Sequence, residues 1–412
     1  MRKPGRPDTT SRARVGGKIS GVMHKYRSGL SWRRSCWPRI TVVGWGLVVA
    51  LVAGSLNGAD SPHPAARTAP GFFYNHDTIP AGPWSVHIVK VDRANHDFEI
   101  QTTLARGASF GLSTLSDQIR LLPREAGRAV AGINGDYYRR EDPYLGDPQG
   151  LQILRGELIS GPCDWTCFWI DPQGTPHMDK VVPDFQVTWP NGEKTPFGLN
   201  EPRSRNEAVL YTRAVGRSTQ TTGGREYILE RNGTNAWLPL RPGETYSARV
   251  REIRNTGDSP VTHDGLILSA GRQLAPLLPT IEPGAVLQLS TATTPDLKGV
   301  RTALGGGPEI VHEGKRIPAR FSPVRHPRVA FGWNKDSWFL VEVDGRQRNL
   351  SVGMTMREWA DYLVKLGCGE AMNLDGGGSS TLWAYGQIMN SPSEGEERGM
   401  GNALIVVQKD RK

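Results

Sequence analysis

Apolar and polar positions begin to alternate at Trp84. Val86, Ile88, Val89 and Val91, followed by Phe98, Ile100 and Thr102, predict two β-strands. Ala129-Val130-Ala131-Gly132-Ile133-Asn134 reads as a short buried strand running into Gly135-Asp136-Tyr137-Tyr138. Two more strands flank an Arg155-Gly156 turn, over 151–154 and 157–159. Residues 160–300 are rich in strands and turns. Pro242-Gly243 and Pro283-Gly284 each fit the centre of a type II turn that launches a strand. Helical spacing appears in two places. Over 113–127, Leu115, Ile119 and Leu122 share a face, with Ser113 as candidate N-cap and Pro123 as an early stop. Over 356–366, Met356, Trp359, Ala360, Leu363 and Val364 share a face. Thr355 and Glu358 form a capping box there, and Gly367 ends the run. The pattern predicts an α+β domain over 84–412, built on a strongly twisted, mostly antiparallel β-sheet core with few helices.

The N-terminal part reads differently. Residues 40–56 carry no charge, and uncharged residues continue to Ala59. At ~1.5 Å per residue, 17 residues span about 25 Å, close to a hydrocarbon core. Arg33, Arg34 and Arg39 precede this run, which favours a cytoplasmic N-terminus. Residues 40–59 are therefore expected to be a transmembrane anchor, with a cleaved signal peptide as the rival reading. Both place the body outside the cytoplasm. Residues 1–39 read as a disordered cytoplasmic tail, and the Pro/Ala-rich stretch 60–83 as a linker.

The overall charge of +9 comes from that tail, which holds 11 Lys/Arg and one acid. The remaining residues have 39 basic and 40 acidic side chains, so charge gives no support for nucleic-acid binding. Of the four cysteines, Cys163 and Cys167 are placed to form a small disulfide, to remain thiols or, with His177, to contribute to a metal site that lacks an evident fourth ligand. Cys36 precedes the anchor, and Cys368 is left over.

Polar clusters recur at the ends of apolar strands. They are Asn134-Gly135-Asp136-Tyr137, Gly305-Gly306-Gly307-Pro308-Glu309, Arg325-His326-Pro327-Arg328, Asp344-Gly345-Arg346, Asn373-Leu374-Asp375-Gly376-Gly377-Gly378-Ser379-Ser380-Thr381, and Asn390 to Arg398. Each has a plain alternative: Asp344-Gly345 as a turn, Gly305–Gly307 as a bulge, Arg328 in a structural ion pair. The 376–380 stretch lacks the lysine of a P-loop, and no Gly-x-Ser-x-Gly elbow occurs.

Taken in order over about residues 85–408, these segments resemble the phosphodiester glycosidase family. The match is densest in 300–408, through Leu304–Pro308, Pro327–Gly332, Val343–Arg346, Gly353–Thr355, the glycine-rich nonapeptide and Asn390–Pro392 with Glu397-Arg398. The resemblance implies hydrolysis of a sugar-1-phosphodiester at the glycosidic carbon, by a family whose bacterial members are mostly exported or membrane-anchored and linked to cell-surface polysaccharides. The leaving group is then a phosphate monoester, already anionic. It calls for cationic and N–H donors more than for a strong acid. Asp375, then Asp136, with Asp344 and Glu309 behind them, are the expected carboxylates for activating water or attacking the sugar. Arg328 and Arg346 are candidate phosphate ligands, Arg398 a candidate substrate-binding residue, and Gly306, Gly307, Gly376 and Gly377 candidate backbone donors. Asn134, Asn373, Asn390, Ser379 and Ser380 would hold sugar hydroxyls or orient the carboxylates. No cofactor is required. Asp136, Asp344 and Asp375 could instead gather a divalent cation such as Ca²⁺ for cleavage at phosphorus. A non-catalytic phosphoglycan-binding protein is the remaining alternative.

Overall fold

A computed structural model describes residues 70–234, 237–318 and 322–409. The tail and the expected anchor over 1–59 lie outside the described residues. Among those described, no helix is long and apolar enough to cross a membrane.

Two antiparallel sheets form the heart of the fold. One has seven strands in the spatial order Phe72–Ile79, Trp84–Asp92, Ser337–Val343, Arg328–Trp333, Glu370–Asn373, Glu309–His312 and Lys315–Arg316. The other has five: Gln387–Ile388, Leu382–Ala384, Arg128–Asn134, Asn402–Gln408 and Phe98–Leu104. Side chains alternate across each strand, so each sheet has two faces to cover. The facing sides share one core, with Val89, Val91, Phe331 and Leu340 from the first sheet and Ala131, Ile133, Leu404 and Val406 from the second. The outer face of the first sheet packs Ile88, Ala330 and Val341 against helix α2 (Met356–Leu366), through Trp359, Ala360 and Leu363. The outer face of the second packs Ile405 and Val407 against helix α1 (Leu115–Arg120), through Leu115. The result is a helix–sheet–sheet–helix sandwich. These are the only two α-helices among the described residues.

A five-stranded and an eight-stranded sheet complete the molecule and bury a separate core, including Leu151, Trp169, Val187, Tyr227, Val250 and Leu268. The eight-stranded sheet contains one parallel pair, Gly198–Leu199 with Ala208–Tyr211. Both Pro-Gly turns precede strands of this sheet, Thr245–Arg254 and Val286–Thr294, and Gly243 and Gly284 carry the positive φ that such turns demand.

Helix α2 follows the sequence pattern closely. Thr355 accepts from the Glu358 N–H while Glu358 reaches back to the Thr355 N–H, and Gly367 closes the helix in the left-handed region. Three expectations need correction. Helix α1 is capped by Thr114, not Ser113, because Thr114 Oγ1 sits three residues before the Asp117 N–H it accepts. Residues 72–79 are not linker but an edge strand paired with Trp84–Asp92, anchored by the buried Phe72. Cys163 and Cys167 are not joined in a disulfide; the Cys167 thiol is buried in Thr166–Ile170 and points at the Trp165 carbonyl.

Candidate active site

The two central sheets meet at one edge, and the polar clusters meet there. Asp375 leaves the end of Glu370–Asn373, and its N–H donates to the Gly135 carbonyl at the end of Arg128–Asn134 (3.1 Å). Asn134 ties the junction more tightly. Its amide Nδ2 donates to the Asp375 carbonyl (2.7 Å), and its Oδ1 accepts from the Thr381 N–H (3.0 Å). One buried side chain thus grips both ends of the glycine loop. Asn390 grips the exit of that loop, donating to the Ser380 carbonyl and accepting from the Leu382 N–H. Each asparagine spends one donor and one acceptor on the loop, so both orient the site. Asn373 donates to the Leu374 carbonyl and toward the Tyr137 hydroxyl (3.3 Å), leaving its Oδ1 buried without a partner.

Asp136 and Asp375 lie close enough to repel each other. Asp136 is 1% exposed, and burial pushes its carboxyl up to about 7, a rise aided by the Asp375 charge. Two backbone donors oppose that rise, Tyr137 N–H on Oδ1 and Gly150 N–H on Oδ2, both at 2.7 Å. Burial also raises Asp375, against the pull of the Ser379 hydroxyl and of Arg140 and Arg398. The glycines serve space here. A Cβ on Gly305 would fall 2.7 Å from Asp136 Oδ2, and one on Gly306 would press into Met372. The Gly305 N–H is bonded to the Leu151 carbonyl and the Gly307 N–H to the Asn373 carbonyl, so these two are not offered outward.

The nonapeptide also departs from expectation. The Gly377 N–H goes to the Pro327 carbonyl, and the Ser379 and Ser380 N–H groups close a short 3₁₀ turn. What covers the loop is arginine. The Arg346 guanidinium lies where a Gly377 side chain would be, and that of Arg398 where a Gly378 side chain would be. Arg346 holds φ at 62°, an uncommon conformation for this residue type. Arg398 reaches Ser379 Oγ (3.4 Å) and forks onto Glu394, whose carboxyl is held low first by that bond and then by the nearby Arg346 and Arg140. Three arginines therefore surround one partly exposed carboxylate above two buried ones. Arg328 is different. It is 8% exposed, and it donates from Nε to the Met354 carbonyl and from Nη2 to the Val324 carbonyl, both at 3.1 Å. Much of its hydrogen-bonding capacity therefore serves the scaffold.

Two expected carboxylates lie elsewhere. Glu309 pairs with His312 beside Glu370. Asp344 accepts from Ser85 Oγ, contacts His87 Nε2 and accepts from the Ser391 N–H. Asp136, Asp344 and Asp375 do not gather as one cation site; among the described residues, Asp344 groups instead with His87 and Glu342. His177 is likewise not poised beside the cysteines, because it bonds Asp171 and stacks on Trp169. Sequence reasoning overlooked Arg140 and Asn402. Arg140 lies four residues beyond Asp136, and Asn402 Oδ1 accepts the Asp136 N–H (2.9 Å). The run Tyr137-Tyr138-Arg139-Arg140 was a usable signal for the first; Asn402, inside a plain apolar strand, gave none. Trp165, 42% exposed, stands edge-on to Tyr137 and offers the kind of aromatic surface sugars stack on.

Residues 243–407 match the family model described as phosphodiester glycosidase. That stretch is similar to the phosphodiester glycosidase family. It contains Asp375 and Arg328, Arg346 and Arg398; Asp136 and Arg140 reach the same place through the fold. Over 119 residues the chain is 33% identical to the SPbeta prophage-derived uncharacterized protein YomE of Bacillus subtilis (strain 168), a match covering 27% of this chain and 18% of that protein. Two solved structures share the fold at 21% identity. A hypothetical protein from Synechocystis aligns with TM-score 0.64 over 81% of this chain and 61% of its own. A putative exported protein from Burkholderia pseudomallei aligns with TM-score 0.60 over 79% and 74%. The catalytic domain of zebrafish N-acetylglucosamine-1-phosphodiester alpha-N-acetylglucosaminidase aligns with TM-score 0.42 at 15% identity over 82% of each chain.

The raised Asp136 carboxyl has a consequence for stability. Its folded value near 7 lies above its ordinary 3.8, so the fold binds this proton more tightly than the unfolded chain does. Stability from this group is greatest below about pH 4, falls as pH rises through 7, and is level beyond. Urea unfolding of the wild type and Asp136→Asn between pH 4.5 and 7.5 should differ in slope, the wild type losing on the order of 3 kcal/mol more across the range. Parallel pH dependences would mean that Asp136 ionises normally.

Proposed function

We propose that this protein hydrolyses the bond between an anomeric carbon and phosphate in a sugar-1-phosphodiester, as part of envelope-glycan or exopolysaccharide metabolism. The observation that carries this reading is the stacking of charge at the seam: Arg140, Arg346 and Arg398 around Glu394, directly over the buried Asp375 and Asp136. An arginine cluster that holds a carboxylate can hold a phosphate, through forked, charge-assisted hydrogen bonds. A phosphate at that seat would displace Glu394 and set its sugar against the two aspartates.

The reaction breaks the C–O bond and releases a phosphate monoester. Charge builds on the leaving oxygen and is met by guanidinium groups already in place, which requires little reorganisation. Asp375 is the base that activates water or the nucleophile that attacks the sugar. Asp136 keeps its proton to a higher pH and donates toward the departing oxygen. Asn134 and Asn390 hold the loop that aims Asp375, and Arg328 braces the strand end from within. The sequence of residues 1–59, a basic tail before an uncharged run, supports a body outside the cytoplasm.

Screening the full-length chain against UDP-sugars and synthetic sugar-1-phosphodiesters tests the activity. Asp375→Asn should lower kcat by ~10²–10⁴-fold while unfolding normally. Arg346→Lys and Arg398→Lys should lower kcat/KM selectively, on a phosphate aglycone and not on a neutral aryl aglycone of the same sugar. Near-normal kcat in Asp375→Asn, or equal losses on both aglycones, would contradict these roles. Tight binding of phosphodiesters with no turnover would instead support a phosphoglycan-binding protein. For the placement, protease added to intact cells should digest the body and spare the tail; a body protected until lysis overturns it.

A further inference from the structure

Glu342 is the most anomalous side chain outside the proposed active site. It is fully buried, and neither carboxylate oxygen has a hydrogen-bond partner. Asn390 lies nearby; one of its amide N–H groups goes to the Ser380 carbonyl and its Oδ1 accepts from the Leu382 N–H, which leaves its second N–H as a single weak donor toward Glu342. A buried carboxylate with no well-placed donor is costly unless a cation or a proton satisfies it. Glu342 sits directly across from His87 in the pairing of Ser337–Val343 with Trp84–Asp92, so both point to the same face of the sheet. Asp344, two residues on, points the same way. One ligand atom from each of the three lies within 4.8 Å of the others, and all three residues are buried.

We propose that His87, Glu342 and Asp344 bind a divalent transition metal, of the Zn²⁺ or Mn²⁺ class, in a site separate from the Asp136–Asp375 pair. One imidazole nitrogen with two carboxylates suits these ions, whereas Ca²⁺ prefers six to eight oxygens. The surroundings are built as a supporting shell. The Tyr74 hydroxyl bonds His87 Nδ1 (2.8 Å), which leaves Nε2 facing the carboxylates. Asp344 is held by Ser85 Oγ (2.9 Å) and the Ser391 N–H (2.7 Å). Such partners fix the orientation and tautomer of metal ligands. A cation here would also pin two functional segments at their roots, since Asp344 leads through Gly345 to Arg346, and Ser391 opens the stretch carrying Glu394 and Arg398. The site stands whether or not the glycosidase assignment does.

The test uses the full-length chain, purified without metal-affinity steps. Metal content is measured by mass spectrometry; after chelation, Zn²⁺ or Mn²⁺ alone is titrated calorimetrically while melting temperature is followed. Wild type should take up about one equivalent per chain and melt higher with it. Glu342→Gln should bind at least ~100-fold more weakly. Tyr74→Phe, which keeps every ligand and most packing, should weaken binding by ~10–100-fold. Wild type that binds neither ion overturns the site and leaves Glu342 as a protonated acid. Binding that survives in Glu342→Gln but disappears in His312→Ala also overturns it, by moving the ion to the exposed Glu309–His312–Glu370 group.

Discussion

The Asn134 side chain is the joint on which the rest depends. It projects from the end of the five-stranded sheet and bonds both ends of the loop that crosses from the seven-stranded sheet to it. Two sheets packed face to face through apolar side chains have no strong preference for how their edges meet. A buried amide that must satisfy both its donor and its acceptor imposes that preference, because leaving either unpaired costs about 1–3 kcal/mol. The loop so fixed carries Asp375 toward Asp136 and lays its glycines under Arg346 and Arg398. Removing the joint would free the loop without emptying the apolar core.

The electrostatics follow from that geometry. Acids lie deep in the seam and arginines lie at its mouth. Desolvation raises the two aspartates, so they retain protons into a range where a surface carboxylate would be ionised. The arginines, more exposed, remain charged and draw an anion to the opening. Glu394 takes that position. Depth thus separates the buried carboxylates from the arginines within a few residues of chain.

Much of this was legible in the sequence. Helix α2 announced itself by spacing, capping box and terminal glycine, and most strands by alternation. The clusters that converge were visible as polar residues ending apolar runs. Three things were hidden. Strand 72–79 lies among prolines and glycines that mimic a linker, and only its pairing with 84–92 reveals it. The glycine-rich loops suggested backbone N–H donors, yet the N–H groups of Gly305, Gly307 and Gly377 bond neighbouring carbonyls, and the lack of side chains makes room for Asp136 and two guanidinium groups. Asp344 looked like a partner of Asp375, but the register of its strand puts it beside His87 and Glu342. Sequence order gives the cast of polar residues; register and loop path decide which of them meet.

Which bond breaks is the most direct test of this account. Hydrolysis of a turned-over sugar-1-phosphodiester in ¹⁸O-labelled water separates attack at carbon from attack at phosphorus. Carboxylates aimed at a sugar and arginines holding its phosphate predict ¹⁸O on the anomeric carbon, with unlabelled phosphate monoester released. Label in the phosphate would contradict the account and assign the chemistry to phosphorus.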